Sequence, residues 1–332
     1  MADYVYLDSN AFWLMKPDHP RFDSDFKATV ARIGHRYRFP FSEAHFRDIA
    51  AGDRPGNEPF IEKDLAFLET VSNGRAVVLE QVEKRPSDEL SPAGSPIPGS
   101  EGPWITHYVV DDVAKLYRNS PKAKSAGRFV SNAEDSHPVV MNIIPDDHPM
   151  KKHLLANNGI MSATTFDSFI QEFRERFNDP KYYKNFRKYV TIAASRIGMK
   201  DNLMGQSVAE KLESFQVFVT ANSVEEISNS VLGAARVIAW MKGESFDDLT
   251  WPDKLLRSYG LLDYNQYVSD SISNKNRPSN MMIDANHIIY AACAKHFVTM
   301  DGGFHKKAGI IFSALNVSTR VSDLSSFKSI FS

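Results

Sequence analysis

The sequence predicts an α/β protein. A mostly parallel sheet is assembled from both ends of the chain, and a large α-helical insertion lies between them. Three observations point there. Short β-branched and aromatic runs stand near both termini, at Tyr4 to Leu7 and at Phe297 to Thr299. The stretch from Met150 to about Asn274 has helical spacing almost throughout. An aspartate follows each terminal run, Asp8 after the first and Asp301 after the second, and open α/β sheets bind ligands at the carboxyl ends of their strands.

Taken in order, Val5-Tyr-Leu7 reads as a buried strand ending at Asp8. Phe22, Phe26, Val30 and Ile33 space a helix over 22–36. Arg38 to Phe41 is a short strand, and Ser42 is a good N-cap for a helix over Ala44 to Ala51. Ile61, Leu65 and Leu68 mark a helix over 60–71, and Val77-Val-Leu79 a strand over 75–82. Residues 84–103 change character: 12 of the 20 are Pro, Gly or Ser, too few apolar groups to offset chain entropy, so this is a flexible loop. Trp104 to Tyr117 resumes a helical pattern, Asn119 to Pro138 is loop-like, and Val139 to Ile144 is a strand candidate. After the helical middle, Met281 to His296 is an apolar helix, Phe297-Val-Thr299 a strand leading to Asp301, and Val317 to Val321 a last strand. The organisation is therefore 1–83, the loop 84–103, a mainly helical 104–278, and 279–332, with the first and last segments forming one unit.

Composition excludes several classes. The 332 residues carry 39 Lys+Arg against 41 Asp+Glu, so a blanket basic surface for nucleic acid is absent and any such contact must be local. One cysteine, Cys293, excludes a disulfide framework and a Cys-built zinc site. No apolar run approaches the roughly 20 residues that span a bilayer, and Met1-Ala-Asp-Tyr lacks a basic leader, so a cytoplasmic protein with no membrane partner is expected.

Four carboxylates are candidates for one sheet edge: Asp8, Asp301, Asp284 on the helix before the last-but-one strand, and Asp48 on the helix begun at Ser42. Gathered together they repel one another, and all-oxygen ligands of this kind suit Mg²⁺ or Mn²⁺. Taken singly, an Asp at a strand end is more often an N-cap.

Four segments carry a resemblance: Tyr4-Val-Tyr-Leu-Asp8-Ser-Asn10, Ser42-Glu-Ala-His-Phe-Arg-Asp48, Asp284-Ala-Asn-His287-Ile-Ile-Tyr-Ala291, and the T-x-D-x-x-F run Thr299-Met-Asp301-Gly-Gly-Phe304. Together they resemble the motifs of the PIN-domain nucleases over about residues 3–80 and 280–325. The resemblance implies a Rossmann-like PIN domain. It also implies divalent-metal-dependent hydrolysis of single-stranded RNA, with Asp8, Asp284 and Asp301 as metal ligands and Asp48 as the fourth catalytic acid. The sequence departs from the family in two ways. Asp48 stands where the family has a Glu, so Glu43 or Glu62 can take its place, and the 235 or so residues between motifs two and three exceed what a compact member needs.

Asn10 can orient water or phosphate, or simply satisfy a turn. His287 can touch substrate phosphate, and His305, Lys306 and Lys307 after the Asp301 motif can contact the nucleic-acid backbone, whereas His287 packed against the sheet edge and the other three on a solvated helix face are the plainer readings. Arg174 to Lys200 mixes basic side chains with Tyr182, Tyr183, Phe186 and Tyr189, a composition used for single strands but also for helix cores. Two function classes follow: a ribonuclease, of the toxin or defence-effector kind with a protein regulator, and a catalytically weak PIN-like module that binds RNA or protein. A phosphotransferase of the haloacid-dehalogenase type ranks last, because it wants an acid where Asn10 stands.

Overall fold

A computed structural model describes residues 3–79, 105–120, 137–138, 149–158, 160–161, 163–197, 206–241, 244–274 and 276–332. The loop expected at 84–103, the strand expected at 139–144 and most of the loop at 119–138 lie outside them. The elements run β1 (Val5–Leu7), α1 (Ser9–Trp13), α2 (Ser24–Ile33), β2 (Phe41–Ser42), α3 (Glu43–Ala51), α4 (Glu58–Ser72) and β3 (Arg75–Leu79). Next come β4 (Ile105–Val109), α5 (Val113–Asn119), β5 (His137–Pro138), α6 (Pro149–Ala156), β6 (Ile160–Met161), α7 (Ala163–Arg176) and α8 (Pro180–Ile197). The chain closes with α9 (Gln206–Thr220), α10 (Val224–Met241), α11 (Trp251–Leu261), α12 (Pro278–Ala292), β7 (His296–Val298), α13 (Gly302–Ala314), β8 (Arg320–Ser322) and α14 (Leu324–Ile330). Among the described residues no helix is long and apolar enough to cross a membrane.

The fold is mixed α/β. The two chain ends do share a parallel sheet, in the order β1-β7-β8, with Leu7 opposite Val298 and Val298 opposite Ser322. A second sheet, β2-β3-β4, is mixed: β2 runs parallel to β3, and β4 antiparallel to it. The bridge Tyr4↔Arg38 and the bond from Val5 N–H to Arg38 O (2.8 Å) set the chain leading into β2 beside β1.

β4 corrects the sequence reading, which gave Trp104 to Tyr117 as helical. Ile105-Thr-His-Tyr-Val109 is rich in β-branched and aromatic side chains and pairs along the whole of β3, so an available strand partner overrides the helical spacing. The helix starts only at Val113, where the Asp112 carboxylate accepts from Lys115 N–H (2.7 Å). The turn into β3 needs Gly74: its φ is +66°, and a Cβ there would stand 2.5 Å from Val110 O.

Side chains alternate across β1 and thereby divide the core. Val5 and Leu7 enter one cluster with Phe12, Phe26, Phe41 and Phe327. Tyr4 and Tyr6 point the other way, into a cluster with Phe218, Val231, Leu255 and Ile288 from α9, α10, α11 and α12. The helical segment thus shares its core with the sheet. A buried charge network strengthens the junction. Asp263 accepts from Tyr183 (2.8 Å) and Arg187 (2.9 Å) of α8, and Lys307 of α13 lies 4.0 Å from Asp263 and pairs with Asp270.

Candidate acidic site

The site forms where β1, β7 and the helices that follow them meet α3 and α12. Asp8 ends β1 and caps α1, accepting from Ala11 N–H (2.7 Å), while the Thr299 hydroxyl at the end of β7 donates to its other oxygen. Asp301 caps α13, accepting from Phe304 N–H (2.9 Å), and its own N–H donates to Thr299 Oγ1 (3.1 Å). The T-x-D-x-x-F run therefore joins both strand ends: Thr299 ties Asp301 to Asp8, and Phe304 anchors the turn against Phe297 (5.1 Å between rings). Asp48 comes from α3, which starts in a capping box between Ser42 and His45. Asp284 comes from α12.

One cavity of about 170 Å³ is lined by Asp8, Ser9, Asn10, Trp13, Asp48, Asp284 and His287. Three of the four expected acids thus face one space, though they come from distant parts of the chain. Asp301 is exposed and does not line that cavity, yet its charge acts on Asp284. The alternatives to Asp48 lie elsewhere: Glu43 pairs with Arg47 (2.8 Å) and Glu62 with Arg118 (3.1 Å), all four on the surface side.

The electrostatics show crowding. Burial pushes the Asp8 carboxyl up to about 6, against the hydrogen bonds from Thr299 and Ala11, and Asp48 adds to the rise. Burial likewise lifts Asp284 to about 7, with Asp48, Asp301 and Asp8 pushing the same way and only His287 opposing. Asp48 moves down: burial would raise it, but the bond from His287 prevails. His287 moves up: burial would lower it, but Asp48, Asp8 and Asp284 prevail. The Ser9 hydroxyl is buried beside Asp48 without a hydrogen bond of ordinary length.

Such a donor set fits a hard divalent cation: oxygen ligands that repel one another. The side chains are not drawn together around an ion. Among the described residues no group of three His, Cys, Asp or Glu stands in metal-holding geometry. Asp8 spends its oxygens on Ala11 and Thr299, and Asp48 one of its own on His287.

The other sequence candidates divide. Asn10 is exposed and lines the cavity. His287 lines it too but is 2% exposed, and both ring nitrogens are engaged, Nδ1 with Tyr6 (2.8 Å) and Nε2 with Asp48 (2.9 Å). Lys306 sits away from the cavity, its ammonium 3.6 Å above the Tyr267 ring and donating to Tyr267 O (3.1 Å). Lys307 belongs to no solvated face: it is buried in the charge network described above. In the Arg174 to Lys200 segment, Tyr182, Tyr183 and Tyr189 are buried, Arg187 is paired with Asp263, and Arg176 covers the Tyr182 ring at 4.4 Å. The rings of that segment pack inward.

Sequence reasoning passed over Ser9 and Trp13, which line the cavity, and Tyr6, which holds His287. Tyr6 was visible as the one residue of the Val5-Tyr-Leu7 run with a polar tip, a group that needs a partner once buried. A second cavity of about 200 Å³ adjoins the first through Trp13 and Asp48 and reaches the exposed ring of Phe60.

Comparison with family models, with curated proteins and with solved structures found no match for this chain.

Proposed function

We propose that this protein is a divalent-metal-dependent nuclease that hydrolyses phosphodiester bonds of single-stranded RNA, with a PIN-like catalytic unit. The observation that carries the reading is the meeting of Asp8, Asp48 and Asp284, from β1, α3 and α12, at one cavity, with Asp301 close enough to act on Asp284. Asp8 and Asp284, raised by burial and by neighbouring negative charge, are poised to accept a cation in place of protons. Asp8, Asp284 and Asp301 would hold Mg²⁺ or Mn²⁺, with Asp48 as the fourth acid. Bound there, the ion would lower the pKa of a water and offset charge on the scissile phosphate. Asn10, open at the rim, would orient that water or the phosphate. The Thr299 hydroxyl fixes Asp8 toward the cavity, and the buried His287 holds Asp48. No side-chain nucleophile is required, so hydrolysis would be direct.

A second reading is a module that binds RNA or protein through a weakened site. It is favoured by the lack of three ligating groups in metal-holding geometry among the described residues. Incubation of the purified full-length chain with Mn²⁺ and a labelled single-stranded RNA separates the two. The nuclease reading expects cleavage that EDTA stops and that Asp8→Asn and Asp301→Asn abolish. No cleavage by the parent, or equal cleavage by both variants, rules it out.

A further inference from the structure

The residue that orients the second acid stands on the helix that carries the third. Asp48 Oδ2 is met by His287 Nε2 at 2.9 Å, and His287 Nδ1 by the Tyr6 hydroxyl at 2.8 Å. The Tyr6 hydroxyl in turn lies 2.6 Å from Ser42 Oγ. The chain Ser42–Tyr6–His287–Asp48 crosses three rigid elements: the β2/α3 junction, β1 and α12. Its first three members are buried, with Tyr6 at 0% exposure, Ser42 at 1% and His287 at 2%. An ionised carboxylate only accepts, so Nε2–H is the donor to Asp48. Nδ1 then either accepts from Tyr6 or donates to it, and in both cases the bond to Asp48 stays.

Three rings surround the imidazole: His45 edge-on at 5.0 Å, and Tyr6 at 5.7 Å and Phe304 at 6.5 Å between centroids, both tilted. His45 is itself fixed, between Ser42 N–H (3.1 Å) and Leu7 O (3.0 Å).

We propose that His287, held by Tyr6 and Ser42, is a positioning residue that aims the Asp48 carboxylate into the acidic cavity. The inference rests on the nuclease reading and deepens it. Asp48 has one methylene fewer than a glutamate and its side chain is 29% exposed, so unheld it would sample rotamers pointing away. The imidazole supplies what a shorter acid lacks, a fixed direction. Because His287 lies three residues after Asp284 on α12, the same helix delivers one acid and orients another. The role assigned is not phosphate contact, since both ring nitrogens are spent inside the protein.

Three variants of the full chain test this: His287→Ala, His287→Gln and Tyr6→Phe. The readouts are Mn²⁺ affinity by electron paramagnetic resonance without RNA, and kcat and KM for RNA cleavage. Partners of this kind typically contribute about 10–100-fold to metal affinity or activity. His287→Ala should lose that much in Mn²⁺ affinity and kcat with little change in KM. His287→Gln, whose amide nitrogen can stand near the lost Nε2, should recover most of the loss. Tyr6→Phe removes one oxygen, keeps the ring, and should fall between, so it carries the test if His287→Ala does not fold. If the parent binds Mn²⁺ and cleaves while all three variants match it, the positioning role is overturned and the nuclease reading stands. If Ala and Gln lose equally and Tyr6→Phe loses nothing, His287 only packs, and the role is again overturned. If the parent neither binds Mn²⁺ nor cleaves, the nuclease reading falls and takes this inference with it.

Discussion

Asp284→Asn should make the metal-free protein more stable at neutral and higher pH. The Asp284 carboxyl stands at about 7 in the folded chain against 3.8 ordinarily, because burial and then Asp48, Asp301 and Asp8 oppose its ionisation. An acid whose folded pKa is raised binds its proton more tightly folded than unfolded. Stability therefore increases as pH falls from about 7 toward about 4, and the full penalty applies above about 7. A rise of about three pH units at about 1.4 kcal/mol per unit sets a ceiling near 4 kcal/mol. The amide removes the charge at similar size, so Asp284→Asn should gain up to that amount at pH 8 and almost nothing at pH 4. Urea unfolding of parent and variant in EDTA, at both pH values, measures it through the midpoint at constant slope. A variant no more stable than the parent at pH 8, or a gain that ignores pH, would refute the claim that these carboxylates are crowded together.

Two further outcomes follow from individual contacts. Thr299→Val removes the donor to Asp8; it should destabilise the protein by about 1.5–3 kcal/mol at pH 8 and less at pH 4, where Asp8 is protonated, as read by urea unfolding. Lys307→Met leaves Asp270 and the buried Asp263 without their ammonium. It should cost about 3–5 kcal/mol in thermal unfolding, and adding Asp270→Asn should restore part of the loss.

Where residues interact locally, the sequence was a good guide. The caps at Asp8 and Ser42 and the helices around Ile61 and Ile288 follow from periodicity and capping chemistry. The long-range parallel pairing of Leu7 with Val298 was legible for another reason, that helices join parallel strands of one sheet. What escaped was set by distant partners. Ile105 to Val109 has a helix-compatible spacing and becomes a strand only because β3 presents an edge. Lys307 reads as a surface charge until Asp263 and Asp270, brought by the turn after α11, enclose it. The aromatics of α8 look like a stacking platform, but the chain turns them inward against Tyr264 and α7. In the site, the acids were legible because carboxylates at strand ends carry their own signal. His287 was visible as a polar residue one turn from Asp284, but its orientation depends on Tyr6 across the sheet, a contact that no spacing encodes.

The central claim is that acids from both ends of the chain form one cation site, and Mn²⁺ titration of the full-length chain by electron paramagnetic resonance tests it most directly. The account predicts saturable binding by the parent, weakened at least tenfold by Asp8→Asn and by Asp284→Asn. A parent that leaves all its Mn²⁺ free, or variants that bind as tightly as the parent, would contradict it.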